Sequence, residues 1–189
     1  MDIKDSNKPI NLDLKNGFSF GAVIEFQPNM KPHDVVIWHA KSKNSKTSAQ
    51  LFQSSKDELL IKITDKNGNA FVTDPIAPKA YLRYAIFLSF SVQLGDDEKL
   101  YIEIFINNEL AIKNSFDGDF KGEMRNVCIS IGGDPDNLSL SSSFVLGELL
   151  IYSNLTAVKD ERIWKYIDEK WAVSQKIRSK PIIKGADRL

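Results

Sequence analysis

Rings, amides and carboxylates carry most of the polar chemistry available to this chain, because it has only two histidines and one cysteine. The run Leu100-Tyr101-Ile102-Glu103-Ile104-Phe105-Ile106 alternates strictly. Alternate side chains of a strand share a face, so Tyr101, Glu103 and Phe105 fall on one surface opposite the isoleucines. Two rings flanking an acid suit a sugar: its apolar face stacks on rings and directional polar groups fix its hydroxyls. Trp38 and Tyr81 are further candidate rings, and Asn107, Asn108 and Asp136 are candidate polar partners. The alternative is that the second face of the strand is also covered, which would make the rings packing residues.

Asp117, Asp119, Asp134, Asp136 and Asn137 lie in two loop segments. Calcium takes six to eight oxygen ligands from loops of this composition. Asp, Asn and Gly are also what turns are built from, so a purely conformational role competes with metal binding.

Other reactive arrangements are missing from the sequence. A glycosidase needs two carboxylates about 5–10 Å apart. Glu103 has apolar neighbours at two-residue spacing, and Glu25 and Glu148 are single acids on other strands. No G-x-S-x-G turn, HExxH, CxxC, P-loop or G-x-G-x-x-G run occurs. His39 follows Trp38 on a predicted strand and reads as structural, and the second histidine, His33, brings no metal spacing. Cys128 sits in the apolar run NVCISI and reads as a buried core residue. Asn137-Leu138-Ser139 and Asn154-Leu155-Thr156 match the N-glycosylation triplet, which matters only on a eukaryotic secretory route.

The elements that would position these groups are mostly strands. With 42% hydrophobic and 10% aromatic residues in 189, one sizeable core is expected. Lys+Arg and Asp+Glu balance at 25 each, which argues against nucleic-acid binding and against charge-driven membrane association. The opening MDIKDSNKPI lacks the apolar stretch of a signal peptide, and no stretch is long enough to insert in a bilayer. Phe18, Phe20, Ala22, Ile24 and Phe26 alternate, as do Leu82, Tyr84, Ile86, Leu88, Phe90 and Val92, each pattern burying one face and leaving the other wetter. Weaker strands are expected at 34–40, 49–54, 58–64, 69–73, 109–114, 126–131 and 144–153. Asn67-Gly68 and Asn107-Asn108 mark tight hairpins. One helix is expected near the end, capped by Thr156, with Ile163, Trp164, Ile167 and Trp171 on its packing side and Glu161 paired to Lys165. About ten short strands and one helix predict an all-β, two-sheet antiparallel sandwich over residues 1–173. Residues 174–189 form a tail of net charge about +4, read as a solvated segment or a docking arm for an acidic partner.

Three segments resemble the concanavalin A-like, laminin G-like superfamily. Phe18 to Phe26 is similar to its opening strand, and Leu100 to Ala111 to its strand–hairpin. Phe144 to Trp171 is similar to its closing pattern of an apolar residue, Gly, a strand ending Ile-Tyr and a helix ending Lys-Trp. Ile129-Ser130-Ile131-Gly132-Gly133 is similar to the strand end that precedes it. The chain departs at Lys79-Ala80-Tyr81-Leu82, where members often carry Trp-His. The resemblance implies a jelly-roll sandwich with one concave sheet, and members that bind glycans, proteins or calcium or act as glucanases. Fold alone does not choose among these.

The expected function is a non-catalytic binding module for a glycan or protein, in an adhesion or viral attachment setting outside the cell, at its surface or on a virion. A structural protein of a virion or other large assembly is the alternative, and a glycoside hydrolase of the same fold is a third.

Overall fold

The computed structural model describes residues 10–76, 85–120, 123–133, 144–152 and 160–173. They form eleven strands: β1 (Ile10–Asp13), β2 (Phe18–Phe26), β3 (Val35–Ser42), β4 (Ser48–Gln53), β5 (Leu59–Thr64), β6 (Ala70–Val72), β7 (Ala85–Leu94), β8 (Lys99–Ile106), β9 (Glu109–Asp117), β10 (Glu123–Ile131) and β11 (Phe144–Tyr152). One helix, α1 (Glu161–Trp171), follows. Every strand pairing is antiparallel. One sheet has the order β1-β10-β3-β4-β5-β6 and the other β11-β2-β7-β8-β9.

The core lies between the two sheets and follows the period-2 patterns. Phe18, Phe20, Ala22, Ile24 and Phe26 of β2 point into it, with Ile86, Leu88, Phe90 and Val92 of β7 and Leu100, Ile102, Ile104 and Ile106 of β8. Facing them are Trp38, Ala40, Ala49, Leu51, Ile61 and Ile63. Trp38 sits at the middle, its ring 5.0 Å from Phe20 and 5.4 Å from Phe90, spacings at which aromatic pairs attract beyond simple burial.

The outer faces differ from the expectation. Ser19 and Val23 of β2 and Phe87, Ser89 and Ser91 of β7 are buried although they point away from the sandwich core. For Val23 and Phe87 the reason is α1: Ile167 and Val173 are buried with them, and Leu150, Ile163, Trp164 and Trp171 pack around them, while Ser19 and Ser89 line a small space with Ile163. The helix lies on the outside of β11, β2 and β7 and gives the five-stranded sheet a second, smaller apolar layer. Among the described residues, β8, the edge strand β9 and the start of β11 keep half-buried and exposed residues on that sheet.

Local chemistry sets the ends and irregularities. Asn107 and Asn108 have φ of 50° and 68°, the left-handed pair that a two-residue hairpin requires and asparagine tolerates. The helix is capped by Asp160, not Thr156: Arg162 N donates to Asp160 Oδ1 at 2.9 Å. Thr156 lies outside the described residues, as do both glycosylation triplets and residues 174–189. Lys165 pairs forward with Glu169 at 3.8 Å instead of back with Glu161. Cys128 is exposed, contrary to the expected core position. Asn126, at φ 50°, opens a bulge opposite β1 that puts two residues between the inward Met124 and Val127, and Cys128 then points out.

Candidate binding face

The outer surface of β8 assembles part of the predicted set. Tyr101, Glu103 and Phe105 stand in one row, all partly buried, while Leu100, Ile102, Ile104 and Ile106 face the core. Cross-strand pairing places Tyr101 between Gln93 and Ser115, Glu103 between Ser91 and Lys113, and Phe105 between Ser89 and Leu110. Leu110 is 54% exposed, so it widens the apolar surface beside Phe105. Lys113 Nζ donates to Glu103 Oε1 at 3.0 Å. The row is therefore ring, ion pair, ring.

Tyr101 is fixed from the side. Its hydroxyl donates to Asp97 Oδ2 at 2.7 Å in the β7–β8 turn. That bond raises the pKa of the phenol and lowers that of the carboxyl. A Cβ at Gly95 would come within 2.7 Å of the Tyr101 ring, so a glycine is needed where the ring lies against the turn.

Asn107 and Asn108 divide their roles. Asn107 exchanges two hydrogen bonds with Phe87, donating from its backbone N–H and accepting at Oδ1, both at 2.8 Å. It is a tie between hairpin and sheet. Asn108 is exposed and lines an open cleft of about 400 Å³ with Glu161, Arg162, Trp164 and Lys165. Trp164 packs on Phe87 in a tilted pair with ring centroids 6.2 Å apart.

Trp38 does not join this face. It is 1% exposed, in the middle of the core, and no ligand reaches it there. Tyr81 lies outside the described residues. The candidate calcium ligands Asp117 and Asp119 each face a lysine: Lys99 Nζ to Asp117 Oδ1 at 3.4 Å and Lys66 Nζ to Asp119 Oδ2 at 2.8 Å. Asp134, Asp136 and Asn137 lie outside the described residues, and among the described ones no three potential metal ligands come together.

The acids weighed for catalysis are engaged elsewhere. Glu148 accepts from Trp171 Nε1 at 2.8 Å and Tyr166 Oη at 3.0 Å, and pairs with Lys170 Nζ at 3.1 Å. Burial pushes its carboxyl up, but the three donors outweigh burial and hold it below its ordinary value. Glu25 accepts from Gln27 Nε2 at 3.1 Å. Glu148 is thus a lock between β11 and α1, a role that sequence reasoning missed. The signal was present: Gly147 precedes it, and a Cβ there would sit 2.8 Å from the Trp171 ring. Glycine clears the ground on which that tryptophan rests.

No protein-family model matches the sequence, and no curated protein matches it. Solved structures do. The receptor-binding domain of botulinum neurotoxin C/D mosaic serotype superposes with a TM-score of 0.62 at 13% identity, covering 81% of this chain and 37% of its own. The ligand-binding domain of botulinum neurotoxin serotype D, solved in complex with N-acetylneuraminic acid, gives 0.58 at 16% identity, covering 86% and 38%. This fold is a jelly roll. A SAP-like pentraxin from Limulus polyphemus has a TM-score of 0.51 at 12% identity, covering 79% of this chain and 72% of its own. The jelly roll here spans well under half the length of the neurotoxin chains. At these identities the likeness carries the architecture, and the site has to be argued from its own residues.

Proposed function

We propose that this jelly roll is a non-catalytic glycan-binding module of the laminin G-like kind, and that its ligand lies along the outer face of β8. The observation that carries the reading is the half-buried row of Tyr101, Glu103–Lys113 and Phe105, beside a helix that packs on Val23, Phe87 and Leu150 of the neighbouring strands. Rings offer stacking surface, and the ion pair offers both an acceptor and a donor to hydroxyl groups. Glu148 and Glu25 serve structural partners, which favours recognition over hydrolysis. The serotype D neurotoxin domain, solved in complex with a sugar, supports a glycan as the ligand class without bearing on its charge.

A glycan array followed by calorimetry on the best ligand tests this. Phe105→Ala should weaken binding about tenfold, equivalent to about 1.4 kcal/mol, with an unchanged circular dichroism spectrum. Full affinity in that variant, or no glycan bound by the folded wild type, contradicts the reading.

A protein-docking role in a larger assembly draws on a different observation. Val145 and Leu146 are 58% and 38% exposed on the edge strand β11, where unpaired backbone invites another chain. That reading requires concentration-dependent association in sedimentation velocity that Val145→Lys abolishes.

A further inference from the structure

Resting on the glycan reading, we infer that the ligand is an uncharged oligosaccharide of several units, whose far end occupies the cleft between the β8–β9 hairpin tip and the first turns of α1.

The β8 row leads toward the cleft. Tyr101, Glu103 and Phe105 run toward the hairpin, and Asn108 at its tip lines the cleft. Asn107 is tied to Phe87, and Phe87 carries the Trp164 ring, so Trp164 stands beside the end of the row. At about 3.3 Å per residue, Tyr101 to the tip is about 20 Å. A single sugar cannot touch both ends.

The cleft's chemistry selects hydroxyl groups. Asn108 offers an amide donor and acceptor, Glu161 an acceptor, Arg162 and Lys165 donors, and Trp164 a ring. A hydroxyl both donates and accepts, so a mixed set around an aromatic suits a sugar. The cations are balanced locally. Arg162 is held by both Asp160 oxygens, at 3.0 Å from Nε and 2.6 Å from Nη2, and Lys165 faces Glu169 at 3.8 Å. With Glu161 also on the wall, the acids around the cleft among the described residues (Asp160, Glu161 and Glu169) outnumber its two cations, a balance that disfavours phosphate, sulfate or a carboxylated sugar.

The test is chain-length dependence. Calorimetry is run with neutral gluco- and chito-oligosaccharides from disaccharide to hexasaccharide, and with sulfated heparin fragments of matched length. Wild-type affinity should rise at least about tenfold along one neutral series. Asn108→Gly, which keeps the left-handed turn while removing the amide, and Lys165→Gln should weaken the long ligand about three- to tenfold and leave the short one unchanged. Affinity independent of length, equal loss for short and long ligands, or preference for the sulfated fragments overturns the inference while leaving the β8 row standing. Absence of binding at every length overturns the glycan reading itself and the inference with it.

Discussion

Tyr101 and Glu148 show how the surroundings of a polar side chain assign its work. The Tyr101 hydroxyl is spent on Asp97, so what the residue offers a ligand is its ring. Tyr101→Phe should then keep glycan affinity within about twofold, whereas Tyr101→Ala should lose about tenfold, both read by calorimetry. Glu148 is 17% exposed and holds three donors of α1. Replacing it with glutamine should cost about 1–3 kcal/mol in urea unfolding, because a partly buried charged acceptor is lost and its donors are left poorly paired. The pH dependence follows from the sign of its shift. The folded carboxyl titrates below its ordinary value of 4.5. Its contribution is therefore complete above the unfolded pKa, and it falls away as pH drops through the lower folded value. Stability measured from pH 6 down to 3 should decline less steeply in Glu148→Gln than in the wild type.

At the scale of elements, α1 gives Val23 and Phe87 of the five-stranded sheet a second apolar layer. Its docking depends on a missing side chain, because a Cβ on Gly147 would press on the Trp171 ring at 2.8 Å. Gly147→Ala should destabilise the domain by about 1–3 kcal/mol and red-shift tryptophan emission as Trp171 is displaced, with near-native far-ultraviolet dichroism. Much of this level was legible in the sequence. The alternation of β2 and β8 reproduces their observed bounds, and Asn107-Asn108 makes the expected hairpin. Helical spacing also picked out Ile163, Trp164, Ile167 and Trp171. What escaped was whatever depends on a distant segment. The burial of Val23 and Phe87 under α1 is caused by tertiary packing that their own alternating pattern cannot express. Cys128 turned outward through one left-handed asparagine two residues away, and four-residue β1 was too short to show a period.

For the whole molecule, two sheets enclose one aromatic-centred core, and the proposed recognition face lies on the outer side of β8. The core assignment of Trp38 is testable by itself. Trp38→Ala should remove about 3–5 kcal/mol, through loss of its packing against Phe20 and Phe90, whereas a surface platform residue would leave unfolding unchanged. The candidate site was half legible for the same reason that the fold was. Period two placed Tyr101, Glu103 and Phe105 together, but the cleft at Asn108 and Trp164 joins segments more than fifty residues apart, and no local pattern announces it. The most direct test of the central claim is a ¹⁵N–¹H titration of the intact protein with a neutral hexasaccharide from the best-binding series. Shifts concentrated at residues 101–105, 108 and 161–165, with the sugar recovered uncleaved, are what the account predicts. Shifts centred on the six-stranded sheet, or a steady release of shorter sugars, would contradict it.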